Sequence, residues 1–600
     1  MRALRPAISG SLALALTLAA ATALADGSVP KPSSPARLSG YEKESLDKAL
    51  TTMKGTIDPS PEGKIIESVE SVRLEVFEKR DFIPEILLGF VNWFHVTSKA
   101  YVIEREVLQK KGQRYDQSLV NETQRNLRGT RQLSLVLVVP VQGSAPDRVR
   151  LLVITKDIWS LRLNSDYRFA GGRLEYLFLE PSEENFLGTQ QSMLASFVMR
   201  QDTFSFGGRY VIPRIAGSRI QASASAGVIV NRATGDAEGS YGKFTYGQPL
   251  YSTRATWAWE GELSWRHDVA RRFVGSKLRT FDAPSTVDDD KIPYVFRSDT
   301  LGGHYAVTRS FGIAIKNDFT VGIAASRRAY RAEDLASFAP SARADFLGKV
   351  LPVSERQINP YFQFHSHPNR YLTVLDFNTL ALQEDYIAGH DAYLKLSPVT
   401  EALASTRSYL GVYAAVAYTV PLGDGLARGY VELSNELTTS GVPDGSIDVG
   451  VRLTTPRTPV GRLHFDARVL NRYANYLREQ SSLGGDSRPR GYPTGAFIGK
   501  DVVAATLEYR SRAVEILGCQ LGGALFFDAG DAADGFDKMV LKKSAGFGLR
   551  ILFPQLDRVV MRVDWGFPLT PGIVPPGGFP GDIVVTFRQA FPMPALPVAN

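Results

Sequence analysis

The stretch Thr256-Trp257-Ala258-Trp259-Glu260-Gly261-Glu262-Leu263-Ser264-Trp265-Arg266 divides cleanly by parity. In an extended chain successive side chains point to opposite faces, so Trp257, Trp259, Gly261, Leu263 and Trp265 share one face, and Glu260, Glu262, Ser264 and Arg266 the other. One face is apolar and aromatic; the other is polar and charged. The division recurs at Leu463, Phe465, Ala467 and Val469 against Arg462, His464, Asp466 and Arg468, and at Ile583, Val585, Phe587 and Phe591 against Thr586 and Arg588. From about Gly172 onward such segments follow one another between Gly, Pro, Asn and Asp. A soluble antiparallel sandwich alternates in the same way. Tryptophans along one face suit a lipid surface with aromatic girdles, however, and charges of both signs on the other suit a wet, closed lumen. The connections also alternate: 511–515 and 554–557 are short, while 471–500, 529–542 and 569–580 are long, the rhythm of periplasmic turns and outer loops. The fold expected is an all-β transmembrane barrel over 165–591. Its first strand (about 172–180) closes on its last (581–591).

Upstream, residues 1–25 read as an export signal, with Arg2 and Arg5, an apolar run from Ile8 to Ala21, and a small-x-small site at Ala23-Leu24-Ala25. No Cys follows that site to carry a lipid anchor, and Cys519 is the one cysteine in 600 residues, so no internal disulfide is available. Beyond the signal no run of 18 apolar residues occurs, which excludes a membrane helix and leaves a barrel open. Net charge is +7, from 69 basic and 62 acidic residues spread along the chain. That is no nucleic-acid stripe. Residues 26–60, rich in Pro, Ser and Lys, read as a tether with one short helix near Glu42 to Met53. Residues 61–160 then give strand, helix, helix, strand, strand. Val72, Leu74 and Val76 alternate in the first strand, and Leu133, Leu135, Leu137 and Val139 in the second. Tyr101 to Gln109 forms the first helix, and Asp116 caps the second. Residues 592–600 form a tail.

The carboxy-terminal hundred residues resemble the BamA/TamA superfamily of outer-membrane barrels, the bacterial surface antigens. Arg490-Gly491-Tyr492, in the long loop 471–500, is similar to the Arg-Gly-Phe/Tyr motif that such barrels fold into their lumen. Five segments follow that loop, as they do in a sixteen-stranded member, and Glu508-Tyr509-Arg510, Phe526-Phe527-Asp528-Ala529-Gly530, Gly546-Phe547-Gly548-Leu549-Arg550 and Arg562-Val563-Asp564-Trp565-Gly566 look like this family's final strands. Segment counting gives sixteen to nineteen strands, and the resemblance implies about sixteen. The module 61–160 resembles a single POTRA domain, the periplasmic unit that precedes these barrels.

If Leu507, Tyr509, Leu525, Phe527, Phe547, Leu549, Val563 and Trp565 face lipid, parity sends Glu508, Arg510, Asp528, Arg550, Arg562 and Asp564 into the lumen. The resemblance implies that Arg490 meets carboxylates there and latches the loop, with Asp528 or Glu508 as its partner. No Gly-x-Ser-x-Gly or His-Glu-x-x-His occurs, and Gly495 to Lys500 misses a phosphate loop by one residue with Asp501 in place of Ser or Thr. His365 and His367 share a strand face but, without a further ligand, read as strand-end polar residues. Asp531, Asp534 and Asp537 lack the EF-hand spacing and read as a solvated loop. No catalytic activity, cofactor or metal is expected. The resemblance implies insertion or translocation of a client polypeptide at the outer membrane. The expected partners are outer-membrane lipid and lipopolysaccharide, with a periplasmic protein reached through the POTRA-like module. A passive solute pore or a lipid-handling barrel is the alternative.

Overall fold

The computed structural model describes residues 38–78, 96–130, 132–170, 173–274, 277–287, 289–571, 581–587 and 589. The expected signal 1–25, the first part of the tether and the tail 592–600 lie outside them.

In the run Leu133–Gln142 apolar side chains occupy both parities, the mark of a strand covered on both faces. It forms one edge of a three-stranded sheet whose central strand, Arg148–Asp157, is antiparallel to it and parallel to Ile65–Leu74. By parity alone Leu133 and Leu135 share a face. A β-bulge between them separates the two. Leu133 packs with Ile66, Val120 and Leu127, whereas Leu135 and Leu137 pack with Tyr41, Leu46 and Ala49.

Helices Ala100–Glu104 and Gln117–Arg128 cover the first face. Asp116 caps the second of these by accepting from the Ser118 N–H. The helix expected over 101–109 stops at Glu104, because Glu106 is drawn away to Arg214 and Arg219 of a barrel turn, at 2.8 and 2.9 Å. The opposite face is covered by helix Gly40–Met53, which corrects the reading of 26–60 as a tether that buries nothing. Ser39 and Glu42 close a capping box at its start. Tyr41, Leu46 and Ala49 then pack on Leu137 and Ile154, and Leu380, Leu382, Leu552 and Val560 of the barrel complete the cluster. The amino-terminal unit is therefore docked under the barrel. Glu122 accepts from the Thr253 hydroxyl at 2.6 Å, Arg128 pairs with Asp385 at 3.0 Å, and the Trp159 N–H donates to the Gln555 carbonyl at 2.7 Å.

From Leu161–Ala170 to Asp582–Phe587, twenty strands among the described residues form a closed antiparallel barrel, counting the short Val514–Ile516 as the continuation of Asp501–Ser511. Neither face of the 256–266 stretch is buried. Trp257 and Leu263 are 52% and 61% exposed, and across the strand the Glu260 side chain is 62% exposed. A sandwich would bury one face, so the outer surface, continued by Val321, Ile323, Leu507, Leu525 and Leu549, is a lipid-facing belt and the inner one a wet lumen. No helix among the described residues is long and apolar enough to cross a membrane; the crossing is made by strands.

The barrel has four strands more than the sixteen expected, and all of them precede the long loop. Six barrel strands occupy 355–475, where turns of two residues, 423–424 and 439–440, join strands without the Pro-rich punctuation that betrays longer connections. The first strand is Leu161–Ala170 and not 172–180. Only three residues separate it from Asp157, the end of the preceding sheet, so it reads as part of that module. The five strands after the loop lie where expected, at Asp501–Ser511, Cys519–Ala533, Lys542–Leu552, Met561–Pro568 and Asp582–Phe587.

Two outcomes follow from this architecture. In a Cys519→Ser background, Lys538→Cys in the 534–541 connection should be labelled on intact cells by a membrane-impermeant maleimide. Pro459→Cys, on a turn at the opposite barrel end, should be labelled only after permeabilisation; the reverse would invert the topology. The second concerns Glu42, whose carboxyl is held above its ordinary 4.5 by burial, against the opposing pull of the Ser39 N–H and Arg128. The folded chain thus holds this proton more tightly than the unfolded one, and the associated stability, full below about 4.5, is lost as pH rises through the raised value. Glu42→Gln keeps the cap without that loss. Its melting temperature relative to wild type, followed by calorimetry, should rise between about pH 4 and pH 8, and a pH-independent difference would contradict the assignment.

Candidate functional site

Loop 476–500 leaves strand Gly461–Asn475 and folds inward, carrying a two-stranded ribbon of Ser481–Leu483 and Phe497–Gly499. At its turning point Arg490 is 1% exposed. A buried guanidinium is tolerated only when its donors are matched by anions, and here they are. Nε and Nη2 donate side-on to the two oxygens of Asp528, at 2.8 and 3.0 Å, and Nη1 is shared by Glu508 at 2.7 Å and Asp564 at 2.9 Å. Asp528 also accepts the Arg490 backbone N–H at 3.0 Å and the Thr506 hydroxyl at 2.8 Å. The Phe526 ring lies 3.5 Å under the guanidinium carbon, adding a cation–π contact.

Two of the three carboxylates, Glu508 and Asp564, are held by three more arginines. Arg510 donates to Glu508 at 2.6 Å, Arg550 bridges Asp564 at 2.5 Å and Glu508 at 3.3 Å, and Arg562 joins Asp564 at 3.0 Å to Asp486 of the loop. Four guanidiniums thus face four carboxylates. All six lumen residues expected from parity, Glu508, Arg510, Asp528, Arg550, Arg562 and Asp564, lie in one connected network with Arg490. The choice left open between Asp528 and Glu508 resolves as both, with Asp564 as a third partner.

Gly491 and Tyr492 seat the loop. Gly491 has φ +91°, and a Cβ there would lie 2.5 Å from the Gly566 backbone carbon, while one on Gly566 would lie 2.7 Å from the Gly491 nitrogen. The two backbones touch, and neither position accepts a side chain. Tyr492 is fully buried against Phe497, Val502 and Ala532, and its hydroxyl donates to the Lys543 carbonyl at 2.7 Å. Phe526 and Thr506 escaped the sequence reading, although parity places both inward; Phe526 is an apolar residue on a charged face, which was the available signal. Asp531 and Asp534 are already engaged, the first by Lys542 at 3.1 Å and the Val540 N–H, the second by the Lys500 N–H.

A second insert approaches from the opposite end of the barrel. Between strands Glu355–Pro368 and Gly389–Val399 the chain forms a hairpin, Tyr371–Leu375 with Gln383–Ile387, that no sequence pattern announced. Its tip folds onto the inner wall: Arg510 donates to the Phe377 carbonyl at 2.7 Å, Arg462 to the Leu375 carbonyl at 3.0 Å, and Arg457 pairs with Asp376 at 3.1 Å. Arg510 therefore touches the hairpin with one edge and Glu508, the Arg490 partner, with the other.

No family model matches the chain, and neither does any curated protein. Among solved structures it is similar to CdiB from Escherichia coli (11% identity, 94% of this chain and 92% of that one, TM-score 0.40). It is similar also to BamA from Haemophilus ducreyi lacking POTRA domains 1–3 (12% identity, 87% and 84%, TM-score 0.33). The siderophore receptor PirA from Acinetobacter baumannii matches at the same TM-score, 0.33, with 10% identity over 75% of this chain and 85% of that one. Likenesses this distant do not separate one kind of barrel from another. Function has to be read from the residues of this chain.

Breaking a buried, matched ion pair costs about 3–5 kcal/mol because the remaining charges stay desolvated. Arg490→Ala should still assemble but lose heat resistance in detergent, seen as a lower temperature of gel-mobility shift. Arg490→Lys should recover only part of it, since an ammonium cannot make the side-on pair with Asp528. Lys538→Ala is the control, and an Arg490→Ala protein indistinguishable from it would remove the latch.

Proposed function

We propose that this chain is an outer-membrane barrel of the BamA/TamA type that inserts or translocates polypeptide without covalent catalysis. Its amino-terminal unit is a single POTRA domain standing in the periplasm. The observation that carries this reading is the seam. Strand Asp582–Phe587 pairs with Leu161–Ala170 through four residue pairs, from Asp582 with Ala170 to Val585 with Tyr167. Beyond Val585 the Asp166 carboxylate replaces the ladder, accepting the Thr586 hydroxyl at 2.5 Å and the Phe587 N–H at 3.1 Å. Among the described residues the seam holds these four pairs, against ten on the other side of the same strand. A seam held by few backbone pairs is a place where an incoming strand can add to the edge.

On this reading a client strand adds to Leu161–Ala170 at the lower seam, in contact with outer-membrane lipid and lipopolysaccharide. The loop latched by Arg490 lies against Gly566, one strand from the seam, and holds the last strands in place. Periplasmic partners reach the barrel through the amino-terminal unit. A solute pore is the second reading, favoured by the solvent-exposed charges of the wall opposite the latch, Lys243, Glu260 and Arg266.

A disulfide between Tyr167→Cys and Val585→Cys, register partners across the seam, tests the proposal. In the Cys519→Ser background and in oxidising medium, the cross-linked chain should reach the membrane but leave surface barrel proteins and secreted polypeptides at the level of a deletion strain, with recovery on reduction. Val563→Cys with Val585→Cys, which locks an ordinary strand pair, should stay active. Full client levels with the seam quantitatively cross-linked would exclude strand addition there.

A further inference from the structure

Where strand Glu355–Pro368 runs down to the hairpin, its last inward-facing side chains are His365 and His367, and the register sets His365 opposite Asp318 of strand Ile315–Ala332. The third donor that the sequence does not place is supplied by this neighbouring strand. One potential ligand atom from each of Asp318, His365 and His367 lies within 4.8 Å of the others, the only such group of three among the described residues. We propose that Asp318, His365 and His367 form a binding site for a divalent ion of the zinc class inside the lumen.

Three independent features of the geometry point to an ion and not to a plain polar cluster. Asp318 is 8% exposed, and its Oδ1 is buried without a hydrogen bond, a state that costs free energy unless a cation or donor sits beside it. His365 has Nε2 at 2.9 Å from Asp391 Oδ1, while its Nδ1 looks toward Asp318 Oδ2 at 4.0 Å. That is the carboxylate–histidine arrangement in which the outer oxygen fixes the tautomer and leaves the other nitrogen's lone pair for metal. His367 repeats it with a backbone oxygen, since its Nδ1 lies 3.4 Å from the Pro368 carbonyl, leaving Nε2 for a ligand bond.

Two imidazole nitrogens and one carboxylate oxygen are the donor set of zinc and its first-row neighbours, with bonds of about 2.0–2.2 Å. Donors sharing a tetrahedral ion at that length stand roughly 3.4 Å apart, so donors now within 4.8 Å of one another have to draw in by about an ångström to hold it. The nearby cations are otherwise committed. Lys316 donates to the Thr253 and Gly312 carbonyls at 2.7 and 3.1 Å, and Arg428 holds Asp391 Oδ2 at 3.1 Å. Arg428 therefore secures the outer carboxylate without approaching as a rival for Asp318. Three protein ligands leave a position for water. The ion also clamps the point where the chain leaves the wall for the hairpin, since Pro368 follows His367 directly.

The test uses the full-length protein purified in detergent without a histidine tag, stripped with chelator, dialysed against limiting zinc chloride and assayed by mass spectrometry of bound metal. One equivalent per chain is expected. Asp318→Asn and the double variant His365→Ala/His367→Ala should each lose at least tenfold in affinity. Asp391→Asn should lose about ten- to a hundredfold through the outer contact, and His267→Ala, elsewhere in the barrel, should lose none. Heat-dependent gel mobility reports whether each variant is folded. In cobalt-loaded wild type, visible d–d absorption that is missing from folded Asp318→Asn ties the ion to these ligands. Less than a tenth of an equivalent in wild type, or equal binding by the folded double variant, would overturn the site.

Discussion

A single desolvated guanidinium organises the carboxy-terminal half of the barrel. Arg490 arrives on a loop, so its position has to be fixed by what it meets, and it meets three carboxylates from three different strands. None of the three could be buried alone. The arginines that further neutralise Glu508 and Asp564, namely Arg510, Arg550 and Arg562, are likewise buried only because the carboxylates are present. Each charge in the cluster licenses the burial of the others, and together they set the spacing of four adjacent strands.

The cluster also joins two inserts that enter from opposite ends. The loop 476–500 contributes Arg490 and Asp486, and the hairpin Tyr371–Ile387 reaches the same network through Arg510 and the Phe377 carbonyl. Behind the hairpin stands the amino-terminal unit, through Arg128 with Asp385 and Arg125 stacked 4.0 Å over Tyr371. A continuous run of charged and aromatic contacts therefore leads from the amino-terminal helices to the loop that enters from the other end. Such continuity is a route along which displacement at one end has to be accommodated at the other, because packed ion pairs reposition in discrete steps and not by stretching.

Much of this was legible in the sequence because strand parity is a local property. It placed Trp257 outward and Glu508 inward without any knowledge of neighbours, and the motif resemblance pointed to Arg490. What was illegible is non-local or depends on an irregularity of one residue. The bulge at Leu133 reverses a face that parity assigns. The tight turns at 423–424 and 439–440 carry too little sequence to be seen as breaks, so the strand count came out low. Asp318 stands 47 positions from His365 and becomes its neighbour only through register. The helix Gly40–Met53 was seen, but its burial was not, since its partners include Leu552 and Val560 some five hundred residues away.

That last cluster bears on the order in which the molecule is made. Tyr41, Leu46 and Ala49 share one apolar core with Leu380 and Leu382 of the middle hairpin and with Leu552 and Val560, and its burial is complete only when all three contributors are present. Cores of such sequence separation form late, because a long loop has to close before any contact rewards it. The amino-terminal unit waits half-finished, with Leu46 and Leu137 short of their last neighbours, until the final strands are in the membrane. Completion of the amino-terminal part then depends on completion of the barrel, and a chain truncated before Leu552 would leave part of this apolar surface uncovered.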